Sequence, residues 1–406
     1  MYKNMTVALI LMMCISCQGD VDIPSVETND TISAEQDKPI VCGAERTDEY
    51  VSVLEGKSVG IVANHTSMIN DVHLVDSLLS MGIVVKRIFA PEHGFRGMAD
   101  AGEMIENETD ATTGLPVISL YGNNKKPEKT HLSDLDVMVF DIQDVGVRFY
   151  TYISTLHYVM EACAGVNLPL MVLDRPNPNT DVIDGPVLNP EYASFVGMHP
   201  VPIAHGMTVA EYARMINGEG WLKDGMSCDL SWVCCDNYNH RMQYKVPVPP
   251  SPNLPNHRSI RLYPTLCLLE ATTLSVGRGT DMQFQVCGHP ALKEKTEFSF
   301  VPQPNEGATY PKHENTTCYG FDLRENSDGF QFNPGQLQLA FLLDLYEIFP
   351  NDVSFFKSPS FFDKLSGDSR LRHQITKGHS EDSIRQSWQA DLTSYKKMRQ
   401  RYLLYE

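Results

Sequence analysis

Several enzyme classes leave short signatures in a sequence, and this sequence lacks most of them. It contains no GxGxxG dinucleotide fingerprint, no Walker A phosphate loop, no GxSxG nucleophile elbow and no HExxH zinc motif. These absences argue against nucleotide-dependent chemistry, against serine esterases of the α/β-hydrolase type and against zinc peptidases. No motif for a cofactor is recognised either, so none is expected.

Basic residues are also scarce. The 406 residues include 33 Lys and Arg against 51 Asp and Glu, which gives a formal net charge of -18, and no basic block occurs along the chain. Nucleic acids and anionic membrane surfaces select for clusters of Lys and Arg. We therefore expect no nucleic-acid partner.

Long apolar runs are missing, apart from a short one near the N-terminus. Residues 5–15 follow Lys3 and have the length of a signal-peptide core, which is too short to span a bilayer. Cys14-Ile15-Ser16-Cys17 resembles a bacterial lipobox. We therefore predict a lipoprotein signal peptide over residues 1–17, lipidation of Cys17 and a flexible tether over residues 18–43. The protein would be exported and anchored to a membrane by acyl chains, in the periplasm or at the cell surface.

Apolar strands alternate with helices in the first half of the chain. Strands are predicted over residues 57–63, 83–90, 116–121, 136–142 and 168–173, with a helix over residues 151–164. Such continuous apolar strands indicate an α/β fold whose parallel sheet is buried on both faces. The Pro-rich residues 246–253 favour a boundary between a domain over residues 44–248 and a smaller α+β domain over residues 249–406.

Polar side chains follow each of these strands at its carboxyl end. They are Asn64 and His65, then Glu92 and His93, then Tyr121, then Asp141, Gln143 and Asp144, and finally Asp174, Arg175 and Asn177. In open α/β sheets, ligands bind in the crevice outside the carboxyl ends of the strands. One such residue is easily explained as a cap or a loop hydrogen bond, whereas agreement between five strands predicts a functional rim.

Glu92 is the best candidate for an acid at this rim. It lies beside His93 in Pro91-Glu92-His93-Gly94-Phe95-Arg96-Gly97, where the glycines permit close approach of the backbone to a ligand. A carboxyl placed in this way can serve as a general acid. The alternative is that Glu92 only caps the turn that follows it.

A second segment, residues 140–152, is dense in hydrogen-bonding and aromatic side chains. Asp141, Gln143, Asp144, Arg148, Tyr150 and Tyr152 all fall within it. Polar partners for hydroxyl groups beside aromatic rings for ring faces are typical of sugar-binding sites. A buried ion pair between Asp144 and Arg148 is an alternative explanation for part of the pattern.

Three arginines are candidates for binding a carboxylate group of a substrate. Arg148 lies in the dense segment, Arg175 follows the strand over residues 168–173, and Arg278 lies between two glycines after Glu270. Planar guanidinium groups pair with carboxylates through two hydrogen bonds. The sequence does not favour one arginine over the others.

Five blocks of this sequence resemble the NamZ-like exo-β-N-acetylmuramidase family, formerly the domain of unknown function DUF1343. They are PEHGFRG, FDIQDVGVRFYTY, LDRPNPN, PSPN and SVGRGT. The resemblance implies a Rossmann-like catalytic domain followed by an auxiliary domain, and exo-acting removal of β-linked N-acetylmuramic acid from MurNAc-GlcNAc saccharides of peptidoglycan. It also implies that Glu92 is the catalytic acid and that His93, Asp141, Gln143, Arg148, Tyr150 and Tyr152 line the pocket. The chain departs from the family pattern at Val276, where Glu is expected, and this puts its specificity in question.

The hypothesis we carry forward is a glycoside hydrolase. Its second catalytic group is Asp141, Asp144 or the acetamido oxygen of the substrate. A metal-dependent hydrolase at the same rim is an alternative, because His65, Glu92, His93, Asp141 and Asp144 supply nitrogen and oxygen atoms. A lipoprotein that binds muropeptides without cleaving them is a third.

Overall fold

The computed structural model describes residues 38–92, 94–95, 108–122, 124–327 and 329–406. The predicted signal peptide with Cys17, most of the tether, and His93 lie outside these residues. Within them, no helix is long and apolar enough to cross a membrane.

The larger sheet has seven strands, and nearly every residue of its central strands is buried. The strands are β1 (Ser58–Ala63), β2 (Val84–Ala90), β3 (Glu108–Thr109), β4 (Pro116–Ser119), β5 (Val137–Asp141), β6 (Leu170–Leu173) and β7 (Leu230–Val233). Their order is β7-β6-β5-β1-β2-β4-β3, and all neighbours are parallel except β3 with β4. Without β3 this is the Rossmann strand order, which confirms the predicted fold class.

Helices cover the two faces of the sheet, because its strands are apolar on both sides. In chain order they are α1 (Thr47–Leu54), α2 (Leu74–Ser80), α3 (Lys129–Leu132), α4 (Tyr152–Ala164), α5 (Val209–Gly218) and α6 (His257–Leu266). A capping box opens α5, since Glu211 accepts from the Thr208 backbone and Thr208 accepts from the Glu211 backbone.

The chain does not enter a helix directly after β1. Residues 64–67 look like a cap for the next helix, but the chain first forms a short antiparallel ribbon of Met68–Ile69 with Val72–His73. Helix α2 then begins after His73, whose side chain accepts from Val75 N at 3.2 Å. Residues 64–67 are thereby left to build the rim of the sheet.

The C-terminal part is smaller and carries a three-stranded antiparallel sheet. Its strands are β8 (Val286–His289), β9 (Phe298–Phe300) and β10 (Cys318–Asp322), in the order β8-β10-β9. Four further helices follow, α7 (Leu339–Ile348), α8 (Pro359–Ser366), α9 (Arg370–Thr376) and α10 (Glu381–Arg399). One apolar core runs from Val62 in β1 to Tyr395 in α10, so this part packs directly on the larger sheet.

Arg148 joins these two parts, which corrects both roles predicted for it. Its guanidinium is fully buried and donates to three carbonyl oxygens, those of Pro186 at 2.9 Å, Val201 at 2.6 Å and Leu365 at 2.8 Å. Burial lowers the pKa of Arg148 to about 10. With these partners Arg148 neither binds substrate nor forms the expected ion pair with Asp144. It holds three distant segments together.

Candidate active site

The polar rim lies where the strand order reverses. Strand β1 is flanked by β2 on one side and by β5 on the other, so the carboxyl ends of these three strands border the crevice in which ligands of this fold class bind. The first turn of α4 faces the same crevice, because Thr151 at its start contacts Glu92 after β2. The rim is therefore built from segments that the parallel sheet holds rigidly.

Glu92 is half-buried at the end of β2. Thr151 Oγ1 donates to Glu92 Oε2 at 2.8 Å, and Thr151 is the residue from which α4 begins. The Tyr121 hydroxyl also bonds Glu92, and burial together with the charge of Glu92 raises the pKa of Tyr121. The positive end of a helix and two hydroxyl donors thus orient this carboxyl.

A group of buried tyrosines forms the wall beside Glu92. Tyr150 and Tyr152 pack edge to face with ring centroids 4.8 Å apart, and Tyr263 lies 5.8 Å from Tyr150. Burial is the main cause of the raised pKa of Tyr152 and of Tyr263, and the charge of Glu92 adds to both. The wall therefore keeps its hydroxyls protonated as donors next to the acid.

Backbone and amide groups hold the tyrosines in place. Tyr150 donates to the carbonyl of Pro250 at 2.7 Å, and Asn64 Nδ2 donates to the Tyr152 hydroxyl at 2.9 Å. Asn64 itself is fully buried and its Oδ1 accepts from the backbone and hydroxyl of Thr66. We had predicted that Asn64 contacts substrate, whereas the structure shows it positioning Tyr152.

Asp141 and Arg175 form a buried ion pair below the rim. Arg175 Nε donates to Asp141 Oδ1 at 2.5 Å and Arg175 Nη2 donates to Oδ2 at 2.9 Å. Burial alone lowers the pKa of Arg175, but the charge of Asp141 outweighs it and raises that pKa above its usual value. Both carboxylate oxygens are occupied, so this pairing contradicts a catalytic role for Asp141 and a substrate contact for Arg175.

Asp144 is a second buried carboxyl, 4% exposed. Its Oδ2 accepts from Gly146 N at 2.6 Å, and its Oδ1 has no hydrogen-bond partner among the residues that the structure describes. Burial raises the pKa of Asp144 to about 7, although the bonds from Gly146 and Val145 oppose the shift. This group is closed off from the crevice, which speaks against the catalytic role predicted for it.

Three other predicted contacts also serve the fold. Gln143 donates to the carbonyls of Asp144 and Pro176. Asp174 accepts from Ala210 N and from the Tyr405 hydroxyl. Asn177 donates to the carbonyl of Met207. All three are 3% exposed or less. We therefore no longer assign them to the substrate. Their positions after strands predicted the rim correctly but not the direction of their side chains.

Arg278 and Glu270 lie in the C-terminal part and line a cavity of about 320 Å³ with Val276 and Lys312. Arg278 Nε pairs with Glu270 Oε2 at 3.1 Å, and the guanidinium lies over the ring of Phe284 at 5.0 Å. The Arg278 side chain keeps 24% exposure, unlike Arg148 and Arg175. It is thus the one of the three candidate arginines that faces open space. Phe284 in turn packs against Tyr263 with ring centroids 4.9 Å apart, so one aromatic ring separates Arg278 from the tyrosine wall.

Two site residues were missed by sequence reasoning. Thr151 stands inside the FYTY block, where only the tyrosines were singled out. Tyr263 lies within α6, whose periodic apolar residues indicate an ordinary core helix. Only Thr151 had a usable signal, namely its place directly before a helix at the predicted rim.

His65 follows Asn64 and contacts the Pro-rich segment, with Nε2 at 2.8 Å from the carbonyl of Pro249.

Among the residues that the structure describes, no group of three or more His, Cys, Asp and Glu side chains is placed to hold a metal ion. His93, which was part of the proposed ligand set, lies outside those residues.

Comparisons with known proteins cover nearly the whole described chain. The family model described as exo-beta-N-acetylmuramidase NamZ, N-terminal, matches residues 59–258, and its C-terminal counterpart matches residues 261–405. Peptidoglycan beta-N-acetylmuramidase NamZ of Bacillus subtilis is 38% identical over 383 residues, which are 88% of this chain and 89% of that protein.

Two solved structures of DUF1343 family proteins from Bacteroides fragilis are similar to this chain. The first is 42% identical with a TM-score of 0.83, and the alignment covers 91% of this chain and 99% of that one. The second is 29% identical with a TM-score of 0.76, and it covers 90% and 99% respectively.

The burial of Asp144 predicts a pH-dependent penalty. Its pKa of about 7 in the folded chain lies above the ordinary value of 3.8. The stability that this difference contributes is therefore fully present below about pH 4 and is lost as the pH rises through 7. Asn does not titrate, so the free energy of unfolding of Asp144→Asn minus that of the unmodified chain should rise by up to about 3 kcal/mol from pH 5 to pH 8. Urea unfolding at both pH values measures this. A difference that is the same at both would show that Asp144 does not titrate in this way.

Proposed function

The chain belongs to the NamZ exo-β-N-acetylmuramidase family, and on that premise we propose that it is a glycoside hydrolase acting on peptidoglycan fragments. It removes β-linked N-acetylmuramic acid from their non-reducing end. The relative from Bacillus subtilis, whose name states peptidoglycan β-N-acetylmuramidase activity, supports this through its identity over most of both chains. The geometry of the rim supplies the residues for each role.

Glu92 is the general acid, and one observation carries this assignment. Of the rim carboxylates that the structure describes, Asp141, Asp144 and Asp174 are buried and at most 4% exposed, whereas Glu92 is half-buried and borders the crevice. A proton donor must reach the glycosidic oxygen within hydrogen-bond distance. Only a carboxyl at the open rim meets that requirement, and Thr151 and Tyr121 hold Glu92 there.

The second catalytic group is the acetamido oxygen of the substrate. The two carboxyls considered for this role, Asp141 and Asp144, are closed off, and Glu270 is paired with Arg278. An acetamido group next to the anomeric carbon can attack that carbon itself, as in other substrate-assisted glycosidases. Glu92 would first protonate the leaving oxygen and then deprotonate water. The configuration of the first product decides this point, because participation of this kind gives retention.

Arg278 binds the lactyl carboxylate of N-acetylmuramic acid. Arg148 and Arg175 are buried and committed to carbonyls and to Asp141. Arg278 is partly exposed in its cavity, bonds Glu270 through Nε, and is separated from Tyr263 of the tyrosine wall by the ring of Phe284. Val276, where the family pattern has Glu, is 1% exposed and adds no negative charge, so the lining of this cavity carries Arg278 and Lys312 against the single carboxylate of Glu270. An anionic substituent is therefore favoured at this position.

Export and anchoring through Cys17 stay a proposal from the lipobox-like Cys14-Ile15-Ser16-Cys17. Lipidation would tie the enzyme to a membrane by its tether. Recovery of a Cys17→Ser variant in the membrane fraction, at the level of the unmodified chain, would contradict it.

Replacing the acid tests the assignment of Glu92. We expect Glu92→Gln to lower kcat on MurNAc-GlcNAc by roughly two to four orders of magnitude, because an amide cannot give the leaving oxygen a proton. Glu49→Gln, a change at an exposed carboxylate on α1, serves as the matched control and should keep full activity. Near-normal turnover of the Glu92→Gln enzyme would refute the assignment.

Replacing Arg278 tests recognition of the lactyl group. With an aryl β-MurNAc glycoside, the enzyme should prefer the free lactyl acid over its methyl ester by ten- to hundredfold in kcat/KM, since a charge-assisted bond contributes about 1.5 to 3 kcal/mol. Arg278→Met should abolish this preference, and Arg324→Met, which alters an exposed arginine of the same part, should keep it. If Arg278→Met retains the preference for the acid, another group binds the lactyl carboxylate.

A further inference from the structure

A second cavity of about 510 Å³ is lined by the Pro-rich segment and by loop residues that follow Arg278 in the chain. Its lining includes His65 after β1, Pro249, Pro252 and Pro255 of the Pro-rich segment, Gln283, and Asn305. Its volume is in the range of small-molecule sites. Neither the acid nor Arg278 lines it, so the roles assigned above leave this cavity unused.

The two cavities are lined by neighbouring residues of the same two loops, although no residue lines both. Arg278 and Gly307 line the cavity assigned to the lactyl group, and Thr280 and Glu306, two residues and one residue away, line the second. The second cavity also adjoins the tyrosine wall, because the carbonyl of Pro250 accepts from Tyr150 at 2.7 Å and from Tyr152 at 3.4 Å. Two sugars joined by one glycosidic bond need such neighbouring sites, with the acid next to both.

The lining chemistry suits a sugar. Three prolines give apolar surfaces against which a pyranose ring packs. Gln283 is only 7% exposed, and its buried Oε1 has no hydrogen-bond partner among the residues that the structure describes. A buried acceptor without a donor is costly, and a hydroxyl or amide N–H of a ligand would satisfy it.

Charge distinguishes this cavity from the first one. The carboxylates of Asp281 and Glu306 line it, and no Lys or Arg is among its lining residues. An anionic sugar is disfavoured there and a neutral one is accepted, whereas the neighbouring cavity carries the two cations Arg278 and Lys312 against one carboxylate, Glu270. The two cavities thus differ in the sign of the group they select.

We propose that the cavity lined by Gln283 and the three prolines binds the leaving sugar, a neutral N-acetylhexosamine such as the GlcNAc that follows the terminal MurNAc. This inference rests on the proposed function and adds to it the origin of the end specificity. The acidic sugar enters the cavity of Arg278 and the neutral sugar enters this one, so the bond between them lies beside Glu92 in a single direction.

The experiment compares a substrate that fills this cavity with one that does not. MurNAc-GlcNAc carries the leaving sugar, and an aryl β-MurNAc glycoside lacks it. We expect Gln283→Leu to lower the ratio of kcat/KM for the disaccharide to kcat/KM for the aryl glycoside about tenfold, because one hydrogen bond to the sugar is lost. Asn305→Ala, a change in a separate loop, should lower the same ratio. Gln374→Leu alters a part-buried amide on α9 that also has an oxygen without a partner among the described residues, and it should leave the ratio unchanged.

The outcomes separate the two proposals. If the unmodified enzyme cleaves neither substrate, the proposed function fails and the sugar site fails with it. If it cleaves both while Gln283→Leu and Asn305→Ala leave the ratio unchanged, only the sugar site is refuted. Equal losses of kcat/KM on both substrates would mean that these residues support the fold, and would also overturn the inference. Circular dichroism of each variant identifies an unfolded protein beforehand.

Discussion

The hydrogen bond from Thr151 to Glu92 joins the end of β2 to the first turn of α4, and the proposed chemistry depends on it. The bond places a carboxyl at the positive end of a helix of 13 residues and beside a wall of tyrosines. The other rim residues Asp141, Asp174 and Gln143 are buried and bond groups within the protein. One carboxyl is thus left at the open edge of a rigid sheet.

A site with one open carboxyl shifts part of the chemistry to the substrate. N-acetylmuramic acid brings an acetamido oxygen that can attack its own anomeric carbon and a lactyl carboxylate that Arg278 can hold. The protein then has to supply a proton, to orient the saccharide, and to provide one cavity for the anionic sugar and another for the neutral sugar. In this view the direction in which the saccharide binds follows from charge. One cavity carries Arg278 and Lys312 against Glu270 alone, and the other carries the carboxylates of Asp281 and Glu306.

The fold was largely predictable because strands that are buried on both faces of a sheet appear in the sequence as continuous apolar runs. The continuous apolar strands predicted the parallel sheet correctly, and their carboxyl ends located the rim. The roles at the rim were less predictable, because spacing places a residue after a strand without giving the direction of its side chain. Arg148 shows why: its three carbonyl partners lie 38, 53 and 217 residues away in the chain. Long-range contacts of this kind leave no local signal. Tyr263 is hard to single out for a different reason, since it stands in a helix with ordinary apolar spacing.

The most direct test of the account is a proton NMR time course of MurNAc-GlcNAc beside GlcNAc-MurNAc. The account predicts that only MurNAc-GlcNAc is cleaved and that the β anomer of N-acetylmuramic acid appears first, because the acetamido oxygen takes part and the configuration is retained. Cleavage of GlcNAc-MurNAc, or the α anomer as the first product, would contradict it.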